Sequence, residues 1–199
     1  MNTVIIKYNA GNVQSVLFAL ERIGITAVVS DDPELIQKAD KVILPGVGEA
    51  GSAMKYLEAH GLDRTIRALR QPVLGICLGL QLLCKYSEEG DVNCLGLFDT
   101  DVRKFRSSFD EKDKLKVPHT GWNTITGLKS ELFKGIPENS YMYFVHSYYA
   151  EMGINTISTT DYTLKFSSAL KKNNFYAVQF HPEKSGEDGL KLLENFMNL

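Results

Sequence analysis

The chain has 199 residues, 44% of them hydrophobic and 23% charged, with a formal net charge of -2 at neutral pH. That is enough chain to bury a full core, an ordinary composition for a soluble globular protein, and the wrong charge for a broad nucleic-acid footprint, which needs a basic surface. The opening "MNTVIIKYNAGN" lacks the basic-then-apolar pattern of a secretory leader, and no apolar run is long enough to cross a bilayer. Cys77, Cys84 and Cys94 are odd in number and lack CxxC spacing, which argues against a disulfide framework or a zinc site. Free thiols suit a reducing cytoplasm. No linker, repeat or low-complexity run divides the chain, so one domain over residues 1–199 is expected.

In chain order, Thr3 to Ile6 is a short β-branched run that predicts a buried strand. Asn12 is placed to cap a helix whose apolar face is Val13, Val16, Leu17, Leu20 and Ile23, and Gly24 ends it. Ile25 to Val29 reads as a second strand, Pro33 opens a short helix, and Lys41 to Leu44 is a third strand. One helical stretch is expected over Ala50 to Leu69, a fourth strand over Pro72 to Ile76, and a helix from Leu78 to Tyr86. Alternating strands and helices predict a parallel sheet with right-handed crossovers and helices on both faces. The last third differs. Tyr141 to Tyr149 is an aromatic strand-like run, while Phe166 to Leu170 and Phe175 to Phe180 flank "KKNN" as a hairpin. A final helix is expected over Glu187 to Met197, with Leu190, Leu193 and Met197 on one face. The fold class is therefore α/β, a three-layer domain with a mostly parallel central sheet and antiparallel additions in the last third.

The stretch "PVLGICLGLQLL" carries the most chemistry. An apolar strand runs into Gly75-Ile76-Cys77-Leu78-Gly79 and a helix follows at once, the arrangement of a nucleophile elbow. The turn is so tight that the residues two either side of the nucleophile must lack side chains. A helix N-terminus there favours an anionic sulfur, and the Leu78 N–H is the natural first oxyanion donor. A lone free cysteine is more often inert core filler; the paired glycines reverse that reading. Cys84 and Cys94 have no such setting and are expected to be structural.

A cysteine nucleophile needs a base, and there are four histidines. His60 ends a helix and suits a surface role, while His119 and His146 sit in strand-like or loop segments. His181 follows the buried run "FYAVQF" and precedes Pro182 and Glu183, which places a base at the end of a rigid strand with a carboxylate able to reach its other nitrogen. Cys77 and His181 are 104 residues apart, so their pairing has to be tertiary.

With these residues on the page, "GICLGLQL" and "VQFHPEKS" resemble the class I, triad-type glutamine amidotransferases; "PGVGEA", "VPHTGWN" and "YFVHSY" resemble, within them, the glutaminase subunits of imidazole glycerol phosphate synthases in histidine biosynthesis. The likeness runs from the first strand to the last helix. It implies Cys77 as nucleophile, His181 as base and Glu183 as orienting acid. It further implies an oxyanion strand over Gly46, Val47 and Gly48, substrate contacts from Gln81, Ser147 and Tyr148, and a partner face including Asn12, Trp122, Asn123 and Lys184. The expected substrate is glutamine, and the implied partner is a cyclase subunit with a (β/α)8 barrel, bound as a heterodimer; no metal or other cofactor is called for. Lys7 stands where an acidic residue is common, and Leu80 and Thr120 where methionine is frequent. Glutaminases of other synthases and stand-alone cysteine hydrolases of γ-glutamyl compounds share the triad and stay open at this point. A non-enzymatic module of the same fold should lack one triad residue, and all three are present.

Overall fold

The computed structural model describes residues 1–9, 11–106 and 116–199. Four short strands, β1 (Thr3–Ile6), β2 (Ala27–Ser30), β3 (Lys41–Leu44) and β4 (Val73–Ile76), alternate with α1 (Val13–Arg22), α2 (Pro33–Lys38), α3 (Ala50–Ala59), α4 (Leu62–Ala68) and α5 (Leu78–Leu83). Then come β5 (Tyr86–Ser87), β6 (Val92–Asn93), β7 (Asp101–Lys104), β8 (His119–Thr124), β9 (Tyr141–His146), β10 (Tyr148–Ala150), β11 (Thr156–Tyr162), β12 (Leu164–Lys172) and β13 (Phe175–Val178). The helix α6 (Gly186–Met197) follows a single 3₁₀ turn at Pro182–Lys184.

The main sheet runs β2-β1-β3-β4-β13-β12-β10-β7-β5-β6, with β11 added on β12. Its first five strands are parallel, and antiparallel pairing begins where β12 meets β13. Alternation within the strands explains the layers. Val4, Val42, Leu44, Val73 and Ala177 pack with α2 to α5 on one face, while Ile5, Ile43, Leu74, Ile76 and Val178 pack with α1 and α6 on the other. The expected α/β class, parallel core, helices on both faces and late antiparallel strands are all present.

Several local expectations need correction. The stretch expected as one helix over Ala50 to Leu69 is two, broken where Gly61 takes φ 66°, a left-handed turn that a helix interior cannot hold. The helix after Cys77 stops at Leu83 instead of Tyr86, because Leu82, Leu83 and Cys84 turn their carbonyls to the N–H groups of Leu95, Leu97, Phe98 and Gly96. Cys84 is therefore an extended, buried residue past the helix and not a member of it. The second strand starts at Ala27, since the Ile25 N–H is engaged with Leu20 O in closing α1 over Gly24. The aromatic run Tyr141 to Tyr149 is not one strand: it breaks at Ser147, β9 pairing with β8 in a separate two-stranded sheet and β10 joining the main one. The hairpin at "KKNN" forms as expected, with Lys172 opposite Phe175 and Asn173 at φ 55°.

Candidate active site

Parallel register brings the distant residues together. Ile76 on β4 lies opposite Val178 on β13, and Leu44 on β3 lies opposite Gly75. The carboxyl ends of three adjacent strands thus meet in one crevice, where open α/β sheets characteristically hold ligands. The Gly46–Gly48 segment leaves β3, Cys77 leaves β4 and His181 leaves β13.

Cys77 sits at φ 52°, ψ -104°, a backbone state that residues with side chains avoid. Its N–H donates to Val178 O at 2.8 Å, locking the elbow to β13. Both flanking glycines are required. A Cβ on Gly79 would lie 1.9 Å from the Leu44 carbonyl oxygen, and one on Gly75 would lie 2.9 Å from Gly79 backbone atoms and 2.7 Å from Leu83. Gly79→Ala is expected to destabilise the fold by about 3 kcal/mol or more, since backbone and not a flexible side chain would have to yield. Denaturant unfolding against the parent checks this; a midpoint within error of the parent would refute the close-approach argument.

His181 is completely buried, and its Nδ1–H donates to Glu183 Oε1 at 2.7 Å. Its Nε2 makes no hydrogen bond among the described residues. Burial pulls its pKa down, but interactions with Cys77 and then Glu183 more than reverse this, holding it at about 10. His181 is fixed by its neighbours: its backbone N–H donates to Tyr143 O at 2.9 Å, and Ser185 Oγ bridges His181 O at 2.6 Å to the Tyr143 N–H at 2.9 Å.

Asn12 does not cap its helix. Its backbone is left-handed at φ 72° with no side-chain capping bond, and its amide instead donates to Glu183 Oε1 at 2.5 Å. It reaches Glu183 from the residue just before α1. The Leu78 N–H, expected as an oxyanion donor, is engaged with Gly46 O at 3.2 Å, while Val47 O accepts from Gly11 N at 3.2 Å. Gly46 and Gly48 take φ 156° and 146°, angles glycine holds easily. Tyr8, buried against this segment, donates its hydroxyl to Pro45 O, and burial pushes its pKa up.

Beside Cys77 lies a cavity of about 80 Å³ lined by Val47, Gly48, Leu78, Gln81, Ser147 and Tyr148, the residues expected there, and also by Glu89. The Gln81 amide nitrogen is engaged internally, with Tyr148 O at 3.1 Å and Gln179 Oε1 at 3.2 Å. Glu89, Gln179 and Tyr8 were not singled out from the sequence. Glu89 accepts from the Ala50 N–H, and burial raises its pKa; Gln179 Nε2 donates to Cys77 Sγ at 3.6 Å. Of the expected partner-face residues, Trp122 is 55% exposed and meets Tyr143 edge-on at 5.9 Å, and Lys184 lies 6.0 Å over the same ring. Asn123, half-buried, turns inward to Asp161 O.

A strained cysteine at a strand-to-helix elbow and a buried His–Glu pair thus lie at the ends of neighbouring strands, and the chain belongs to the class I glutamine amidotransferases, whose family model matches residues 4–199. Within that family it is 57% identical over 199 residues, the full length of both chains, to imidazole glycerol phosphate synthase subunit HisH of Bacteroides fragilis. It is 45% identical over 201 residues, again covering both chains fully, to the subunit of the same name in Yersinia pseudotuberculosis. Its fold is similar to that of PurLQS from Thermotoga maritima, with a TM-score of 0.70 at 17% identity over 99% of this chain and 97% of that one. Among the described residues no helix is long and apolar enough to span a membrane, and no acidic, His or Cys cluster could hold a metal.

Proposed function

We propose that the chain is the glutaminase of an imidazole glycerol phosphate synthase, releasing ammonia from glutamine through a thioester on Cys77. The observation that carries this is the meeting of Cys77 with the buried His181–Glu183 pair at the ends of two register-locked strands. Cys77 Sγ attacks the side-chain amide carbon, and the sulfur's proton passes through His181 Nε2 to the departing nitrogen. Ammonia leaves and a γ-glutamyl thioester remains. Water then gives a proton to the same Nε2 and attacks the thioester, yielding glutamate and restoring the thiol. Glu183 keeps Nδ1 protonated throughout, so that Nε2 is the working atom. The oxyanion is received by the Leu78 N–H and the Val47 and Gly48 peptides once the Gly46 carbonyl has moved aside.

Glutamine's charged end enters the cavity between Ser147–Tyr148 and Gln81. Glu89 supplies the one carboxylate on that wall, the chemistry needed for an α-ammonium group. Ammonia in neutral water is largely protonated and no longer nucleophilic, which favours direct transfer to a second protein. The full-length likeness to synthase subunits supports a cyclase partner with a (β/α)8 barrel, forming a heterodimer, and its docking face includes exposed Trp122 and Lys184 beside the His181–Glu183 turn. Three unpaired thiols suit a cytoplasmic setting.

Steady-state release of glutamate by the chain assembled with its cyclase tests the reading. Glu89→Gln is expected to raise KM for glutamine about tenfold with little change in kcat, the signature of a lost ground-state contact. No glutamate from the wild-type assembly would overturn the glutaminase assignment. An unchanged KM would remove Glu89 from the substrate site. A full rate without any partner would favour a stand-alone γ-glutamyl hydrolase.

A further inference from the structure

We propose that His119 and His146 form a directed, uncharged imidazole pair that positions the Ser147–Tyr148 peptide beside the nucleophile, making His119 a positioning residue for glutamine. The proposal rests on the glutaminase reading above.

The two rings lie on paired strands in direct register, His119 opposite His146, and both are buried. His146 Nδ1 is 2.7 Å from the Tyr148 carbonyl, which can only accept, so that nitrogen carries the proton. His146 Nε2 is then an acceptor, and His119 Nδ1, 2.9 Å away, must donate to it. That leaves His119 Nε2 to accept from the Asn123 amide at 3.3 Å, while the same amide donates to Asp161 O at 2.9 Å. Every link has one direction, and both rings are Nδ1–H tautomers. An added proton would end on His119 Nε2 and turn the Asn123 amide, breaking its Oδ1 bond to the Thr124 N–H. The surroundings oppose charge as well. His119 stacks on Tyr162 at 3.9 Å and Phe144 at 4.8 Å, and His146 packs on Phe105 and Phe166 at 5.3 Å. Burial holds His119 down at about 4 and His146 at about 3.

What the pair supports is the point where the aromatic run breaks between the two sheets. The Tyr148 carbonyl receives two side-chain donors, His146 from one side and Gln81 from the nucleophile's helix. Gln81 continues to Gln179, and Gln179 to Cys77 Sγ. The substrate wall and the nucleophile are therefore hung on one polar chain that runs back through the His119 ring to Asn123. A buried donor removed from such a chain leaves its partner unsatisfied, and the peptide it held is free to shift.

Two measurements test this. ¹⁵N NMR of histidine-labelled protein at neutral pH should show His119 and His146 both protonated at Nδ1 and bare at Nε2; finding either ring as the Nε2–H tautomer overturns the pair. In the cyclase assembly, His119→Phe keeps the ring stack but removes the donor, and should raise KM for glutamine at least about tenfold while kcat changes less than about threefold. His119→Asn, whose amide nitrogen falls near the Nδ1 position, should recover most of the loss; a purely space-filling role would instead be met by Phe and not by Asn. If the wild type turns over glutamine and His119→Phe leaves KM unchanged, the positioning role is wrong. If the wild type does not turn over glutamine at all, the glutaminase reading falls, and the tautomer measurement still decides whether the pair exists.

Discussion

Cys77→Ala is expected to lower glutamine hydrolysis at least about 1000-fold while leaving the fold and partner binding intact, because groups that act as one catalytic unit lose nearly everything when any one is removed. The alanine occupies the same elbow, and Gly75 and Gly79 still allow the turn, so unfolding is not the route to inactivity. His181→Ala should be comparably inactive. Glu183→Gln should lose less, since its role passes through the His181 ring, and Asn12, just before α1, still anchors the position. The assay is glutamate release in the cyclase assembly, with circular dichroism and co-purification as controls. Glutamate formed by Cys77→Ala near the parental rate would dismiss the thioester route; near-parental activity in His181→Ala would dismiss the triad. Replacing Cys84 or Cys94 should leave Cys77 open to alkylation, because both of these thiols are buried away from the elbow and burial raises their pKa.

The second large effect concerns the partner. The chain alone is expected to hydrolyse glutamine at least about 100-fold more slowly than the assembly with ligand-bound cyclase, the scale of one oxyanion donor. The basis is the bond from the Leu78 N–H to Gly46 O, which occupies the donor that the tetrahedral intermediate needs. A glycine-flanked peptide can exchange one orientation for another at low cost, and a docked partner that favours the open one shifts the population toward it. Steady-state glutamate release by the chain alone, with cyclase, and with cyclase plus its ligand decides the matter. Equal rates in all three would show that the Gly46 carbonyl gates nothing.

How much of this was legible in the sequence depended on whether the constraint was local. The elbow was readable because part of its sterics acts within five residues: a Cβ on Gly75 would lie 2.9 Å from Gly79 backbone atoms, whereas the 1.9 Å clash of a Cβ on Gly79 with the Leu44 carbonyl comes from the neighbouring strand. The parallel half was readable from short apolar runs, of which β1, β3 and β4 are buried on both faces. The separate sheet of β8 and β9 was not, because "HTGWNT" has neither clean alternation nor an apolar run, and its pairing with β9 is set by a segment more than fifteen residues later. Asn12 looked like a cap because its residue type and place before a helix are those of one; a left-handed backbone and a carboxylate brought from Glu183 claimed it instead. Glu89, Gln179 and Tyr8 carry no local signal at all. Their roles come from what the folded chain places beside them.

The strand that leads to His181 is the last in the chain yet lies in the middle of the main sheet. Everything from Thr3 to Lys172 can be synthesised while the seat between β4 and β12 is still empty, and only Phe175–Val178 joins the parallel half to the antiparallel half. Such non-local pairing folds late. The Cys77 N–H finds its partner, Val178 O, only when the sheet closes around β13, and the same closure brings in His181. An emerging chain therefore carries Cys77 without His181 beside it, and on the mechanism proposed above glutamine is safe from that sulfur until the molecule is whole.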